Sequence, residues 1–254
     1  MPKLSVCIEM FWRDLPYEER IARVAALGFP AFEFWGWKNK DIDAVKRAMT
    51  EGDIPIAALC IEPNMSLNKR GVESELVQGM RDTAAVGAEL QCHTIIATVG
   101  STFDDESYEI TRRRVVRNLR AISLVAEDHG LTIVIEPLNT LVDHHGYWLT
   151  RMTQAVDIVQ EVDSSSVKIL MDLYHQQIME GNLIANLREY IDDIGHFHTA
   201  GVPGRHELVG GEQDYRAIFR AIEATGYSGY VGLEYTPSMD TQASLMQALG
   251  LSEG

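Results

Sequence analysis

Positive charge is scarce in this 254-residue chain: 22 Lys and Arg stand against 37 Asp and Glu, a formal net charge of -15 at pH 7. Such a surface repels a phosphate backbone, so nucleic acid is not an expected partner. Cysteine is scarce too, and Cys7, Cys60 and Cys92 form no close pair. This excludes a CxxC site and a disulfide framework, and it predicts reduced thiols in a cytoplasmic protein. Long apolar runs are missing. The N-terminal "MPKLSVCIEMFWRDL" becomes charged before reaching signal-peptide length, and no segment offers the roughly 18 apolar residues of a membrane span. No membrane partner is expected. The first apolar run leads into "CIEMFWRD", which lacks the glycines of a dinucleotide-binding loop. No Pro- or Ser-rich linker divides the chain, so residues 1–254 read as a single domain.

What the chain does contain is a regular alternation. Eight short apolar runs occur: "LSVCI" (4–8), "AFEFW" (31–35), "IPIAALC" (54–60), "HTIIATV" (93–99), "LTIVIE" (131–136), "VKILMD" (167–172), "IGHFHTA" (194–200) and "GYVGLEY" (229–235). Between them lie stretches of helical period such as "YEERIARVAALG", "ITRRRVVRNLRAISLVAEDHG" and "DYRAIFRAIEATG", each closing on a glycine suited to a helix C-terminus. Strands alternating with helices imply a parallel sheet. Eight repeats in this length predict an α/β fold, a single (β/α)8 TIM barrel. A doubly wound sheet is the runner-up, weakened by the absent glycine loop.

Four of the runs end on groups that can bind a metal or move a proton: Glu136, Asp172, His198 and Glu234. A lone acid at a strand end is more often a helix N-cap or a solvated loop residue, and a lone histidine is often a satisfied core residue. Four at consecutive strands five to eight are different, because a barrel converges these ends on one face. Three carboxylates and an imidazole in one cavity need a compensating cation. Their donor set suits one divalent ion, Mn²⁺ or Mg²⁺ in preference to Co²⁺ or Zn²⁺. An octahedral ion so held keeps about two open positions, which an α-hydroxy carbonyl compound could chelate. Chelation acidifies the C–H beside the carbonyl, so a carboxylate could remove that proton to give a metal-stabilised enediolate. Glu136 and Glu234 could flank the substrate, one taking a proton and the other returning it. His196 reads as structural.

The segments "IVIEPLN", "MDLYHQQIMEGN", "GHFHTAGVPGRHE" and "GYVGLEY" resemble the hydroxypyruvate isomerase family, within the sugar isomerase and epimerase barrels of xylose isomerase-like and endonuclease IV-like type. The resemblance runs over essentially the whole chain. It implies conversion of hydroxypyruvate to tartronate semialdehyde by proton transfer. It also implies that Glu136 and Glu234 are the catalytic pair and face the metal, that Asp172 is a ligand, and that His175 and Arg205 contact substrate. One departure stands out: hydroxypyruvate isomerases often carry glutamine where this chain has His198, whereas ketose 3-epimerases carry a histidine ligand there. Asp143, His144 and His145 fit neither pattern.

A ketose 3-epimerase acting on a free ketose is therefore the alternative, and a non-catalytic sugar-binding barrel or subunit is a more distant one. Endonuclease IV-like hydrolysis needs several metals and more histidines, yet strand three ends in "LCIEPN" and His93 begins its strand. Arg205 and Arg70 could each clamp a substrate carboxylate bidentately, although Arg70 could equally be a solvated loop residue. Phe11, Trp12, Trp35 and Trp37 could wall the pocket, pack, or form the interface of a homo-oligomer.

Overall fold

The computed structural model describes residues 1–252. Its eight strands are β1 (Lys3–Cys7), β2 (Ala31–Glu33), β3 (Leu59–Cys60), β4 (Thr94–Ala97), β5 (Thr132–Ile135), β6 (Val167–Asp172), β7 (Ile194–Thr199) and β8 (Tyr230–Leu233). They pair in parallel in the order β2-β1-β8-β7-β6-β5-β4-β3. The two ends of that order meet at a parallel bridge between Phe32 and Ile56. Hydrogen bonds from Ala57 N to Phe32 O (2.7 Å) and from Cys60 N to Trp35 O (3.0 Å) continue this seam. The result is the expected (β/α)8 barrel, nearly closed. The third apolar run yields only a two-residue strand, its earlier residues meeting β2 through the isolated Phe32–Ile56 bridge.

The helices that return the chain between strands are α1 (Tyr17–Ala26), α2 (Ile42–Gly52), α3 (Glu73–Leu90), α4 (Tyr108–His129), α5 (Met152–Val162), α6 (Leu173–Met179), α7 (Leu183–Glu189), α8 (Tyr215–Ala224) and α9 (Thr241–Leu251). Their ends follow local chemistry. Asp41, Asp214 and Asp240 cap α2, α8 and α9 by accepting from backbone N–H groups three residues on. Gly130 takes the left-handed conformation (φ 64°) that ends the 22-residue α4. Among the described residues no helix is long and apolar enough to cross a membrane.

Alternation along the strands separates two cores. Ile133, Ile135, Ile169 and Met171 belong to the large apolar cluster between sheet and helices. Ala58, Cys60, Ile96, Val134 and Leu170 form a separate cluster on the opposite face, filling part of the barrel interior. The register places Asp172 of β6 beside His198 of β7, and His198 beside Gly232 of β8. Three neighbouring strands thus present their last interior positions at one level of the mouth.

Candidate active site and metal centre

Glu136 and Glu234 each lie one residue beyond a strand, while Asp172 ends β6 and His198 is the penultimate residue of β7. All four are buried. Each offers a ligand atom within 4.8 Å of the others. They line, or in the case of Asp172 adjoin, a cavity of about 240 Å³ whose walls include Trp35, Cys60, Asn64, His144, His175 and Arg205. A larger space, about 620 Å³, lies between α1 and α2. It is an open surface groove lined largely by alanines and solvated charges, with no converging buried polar groups.

Asp172 serves two purposes. Its Oδ1 accepts from Tyr174 N (2.7 Å) and caps α6, so the helix-cap reading of this residue is correct. Its Oδ2 is buried with no hydrogen-bond partner, as are Oε1 of Glu136 and Nδ1 of His198. Buried polar atoms are nearly always partnered, so three orphans facing one point mark a place for a ligand. His198 Nδ1 lies 3.5 Å from Glu234 Oε2 and 3.8 Å from Glu136 Oε1. Three carboxylates and one imidazole, converging with unused lone pairs, fit a single divalent cation of the hard or borderline kind.

Glu234 is the best supported of the acids. Trp35 Nε1 donates to its Oε1 (2.8 Å) and Arg205 Nη2 to its Oε2 (2.6 Å). Burial opposes its ionisation, but His198, Arg205 and Trp35 outweigh this and hold its pKa far below the ordinary carboxylate range. Asp172 shifts the other way: burial raises its pKa, and Glu234 adds to the rise against the pull of Arg205. Burial would also lower the pKa of His198, yet the charges of Glu234 and Glu33 raise it well above the ordinary value. This stacked negative charge is what a bound cation would relieve.

Glu33, a residue missing from the set of strand-end groups, lies beneath the cluster. It is 2 % exposed inside the barrel. His196 Nε2 donates to its Oε2 (2.8 Å), and its Oε1 lies 3.4 Å from Nε2 of His198. Burial raises the Glu33 pKa, but the charges of His198 and His196 bring it down to about 2. A carboxylate behind a ligating imidazole fixes which ring nitrogen keeps its lone pair. Here Glu33 Oε1 faces Nε2 of His198, and Nδ1 faces Glu136 and Glu234. Gly232 makes room: a Cβ there would collide with Glu33 Oε1 and His198 Cδ2. The sequence carried a signal, since Ala31, Glu33 and Trp35 alternate onto one face of "AFEFW" and a charge in that series demands a buried partner.

His175, at the start of α6, and Arg205 both reach the cavity. Burial pulls the His175 pKa down to about 4, so the ring is neutral near pH 7. Arg205 sits in a loop with positive φ (58°), its guanidinium over the Tyr174 ring at 5.3 Å. Arg70 is not at the cavity. It is half exposed and bound to Asp105 (2.5 Å) and Glu106 (2.6 Å). Of the four aromatics, Trp35 lines the cavity, whereas Phe11 packs edge-on against Tyr235 (5.0 Å) and Trp37 Nε1 donates to Thr83. Asp143 accepts from Asn139 Nδ2 (2.7 Å) and Tyr174 OH (2.8 Å). His144 meets His175 edge-on at 5.2 Å, and exposed His145 bonds the Thr140 carbonyl.

Known proteins share the fold. Residues 21–250 match the family model described as xylose isomerase-like TIM barrel. The chain is 29% identical over 252 residues to the hydroxypyruvate isomerase of Escherichia coli K12, covering 96% of this chain and 97% of that one. It is likewise 29% identical over 252 residues to the 2-oxo-tetronate isomerase of Cupriavidus necator, covering 96% of each. A crystal structure from Brucella melitensis described as an AP endonuclease of family 2 superposes with a TM-score of 0.93 at 28% identity, covering 98% of this chain and 99% of that one.

Proposed function

The chain belongs to the xylose isomerase-like TIM barrel family and is an enzyme of the isomerase class, as its full-length relatives are; from that premise we propose that it isomerises a small α-hydroxy carbonyl acid of the hydroxypyruvate type, with tartronate semialdehyde as product. The observation that carries this reading is the set of three unpartnered polar atoms, Glu136 Oε1, Asp172 Oδ2 and His198 Nδ1, converging beside a cavity that also holds Arg205. Glu136, Asp172, His198 and Glu234 would hold one divalent ion, Mn²⁺ or Mg²⁺ in preference to Co²⁺ or Zn²⁺. Once bound, that ion would polarise the substrate carbonyl and acidify the neighbouring C–H.

The protein's own groups do the rest. One glutamate of the Glu136/Glu234 pair takes a proton from the hydroxymethyl carbon, breaking that C–H bond and leaving an enediolate. The other delivers a proton to the former carbonyl carbon, and the hydroxyl proton passes from the old alcohol oxygen to the new one. Arg205 brings a guanidinium to the cavity and would pair with the substrate carboxylate. His175 contacts the reacting oxygens. Phosphodiester hydrolysis, suggested by the description of the Brucella protein, suits this chain poorly. Its net charge is -15, and the loop after β3 contributes Asn64 to the cavity and no histidine.

The test is incubation in D2O with hydroxypyruvate, 2-oxo-tetronate and a panel of free ketoses, with and without EDTA, followed by NMR. Exchange beside the carbonyl with transposition of that carbonyl, to an aldehyde from hydroxypyruvate and to a 3-keto acid from 2-oxo-tetronate, is expected and should be abolished by EDTA. Inversion at C3 of a free ketose without aldehyde would make the protein an epimerase instead, and no exchange on any compound would leave a binding role.

A further inference from the structure

The Asp143 segment, which the catalytic reading leaves without a role, bears on His175. Asn139 is fully buried and every polar capacity of its side chain is used. Its Oδ1 accepts from Val142 N (3.0 Å) and Asp143 N (3.1 Å). Its Nδ2 donates one hydrogen to Asp143 Oδ2 (2.7 Å) and directs the other at His175 Nδ1 (2.7 Å). The amide cannot be turned over, because that would set an oxygen against the Asp143 carboxylate and an NH2 against two backbone N–H groups. Asp143 is in turn held by the Tyr174 hydroxyl (2.8 Å).

The backbone N–H of Asn139 points at the same ring atom, 3.3 Å from His175 Nδ1. Two donors thus face Nδ1, so that atom must offer a lone pair and the ring proton must reside on Nε2. Nε2 is itself buried and without a hydrogen-bond partner, its nearest carboxylate oxygen being Asp172 Oδ2 at 3.5 Å, and the His175 ring lines the cavity that holds Glu136 and Glu234.

From this we infer that Asp143, Tyr174 and Asn139 are positioning residues which lock His175 in its neutral Nε2–H tautomer, making it a fixed hydrogen-bond donor to a substrate oxygen and excluding it from proton transfer. The inference rests on the isomerase reading for the identity of that oxygen, but the tautomer does not. A neutral donor steadies charge developing on oxygen while leaving the proton traffic to the two glutamates.

The experiment is long-range ¹H–¹⁵N NMR on the full-length protein, metal-free and Mg²⁺-loaded, with the His175 signals identified by their loss in His175→Gln. A neutral ring protonated at Nε2 is expected at pH 7 in both states. A proton on Nδ1, or on both nitrogens, overturns the inference. Asn139→Ala should convert the signal to a mixture of tautomers and lower kcat about tenfold with metal affinity unchanged. In a His175→Ala background the same change should cost no further kcat, because the two residues act as one unit. Additive losses would assign Asn139 a structural role and refute the coupling. If no hydroxy-keto acid turns over at all, the proposed function falls while the tautomer measurement still stands.

Discussion

Replacing Glu33 by glutamine tests whether the carboxylate beneath the cluster prepares His198 as a ligand. The amide keeps the shape of the side chain and can still accept from His196, so the fold should survive. It cannot hold the Nε2 proton of His198 by charge. Groups behind metal ligands govern about 10–100-fold in affinity. The Glu33–His198 separation of 3.4 Å is long against the 2.8 Å to His196, which places the effect at the lower end. We expect Mn²⁺ affinity to fall about tenfold, or about 1.4 kcal/mol. Calorimetric titration of the metal-free protein measures it directly. His196→Gln, which disturbs the other oxygen of Glu33, should change affinity far less. An unchanged affinity in Glu33→Gln, or equal losses in both variants, would refute the reasoning.

Gly232→Ala should damage the same contact from the opposite side. The added Cβ collides with Glu33 and His198, so thermal and urea unfolding should show about 1–3 kcal/mol lost together with weaker metal binding; full stability would contradict the packing described. His175 gives a pH dependence. Its pKa is depressed to about 4 in the folded chain, while the unfolded value is about 6.5. Its contribution is therefore complete above about 6.5 and is lost as pH falls toward 4, because the unfolded state binds the proton more readily. The whole window amounts to at most about 3.4 kcal/mol. Urea denaturation of the metal-free protein should show a shallower pH slope for His175→Gln than for the parent, and identical slopes would count against a buried neutral ring. Arg205→Lys should raise KM about tenfold with a smaller change in kcat, since an ammonium cannot reproduce the guanidinium fork. Steady-state kinetics with an unchanged KM would make Arg205 a partner of Glu234 alone.

The strand order was legible because each apolar run was short and bounded, and the barrel follows from eight of them. The mouth of β5 to β8 was legible because Glu136, Asp172 and Glu234 each terminate an apolar run, a contrast visible along the chain. Glu33 was hidden because it lies inside a run, and its partners sit on β7, His196 being 163 positions away. Asn139 was hidden because an uncharged amide gives no signal of its own, and its role depends on the loop folding back through Val142 and Asp143. Arg70 lies outside the cavity for the same kind of reason: its ion pairs with Asp105 and Glu106 link two loops whose proximity no local pattern announces.

The most direct measurement compares the parent enzyme with Glu136→Gln and Glu234→Gln, each loaded with metal, for deuterium uptake from D2O into hydroxypyruvate. An amide cannot accept the proton, so both variants should lose most turnover, and the variant lacking the abstracting carboxylate most exchange as well, while both unfold as cooperatively as the parent. Near-parental exchange and turnover in both would contradict a mechanism in which these two carboxylates move the proton.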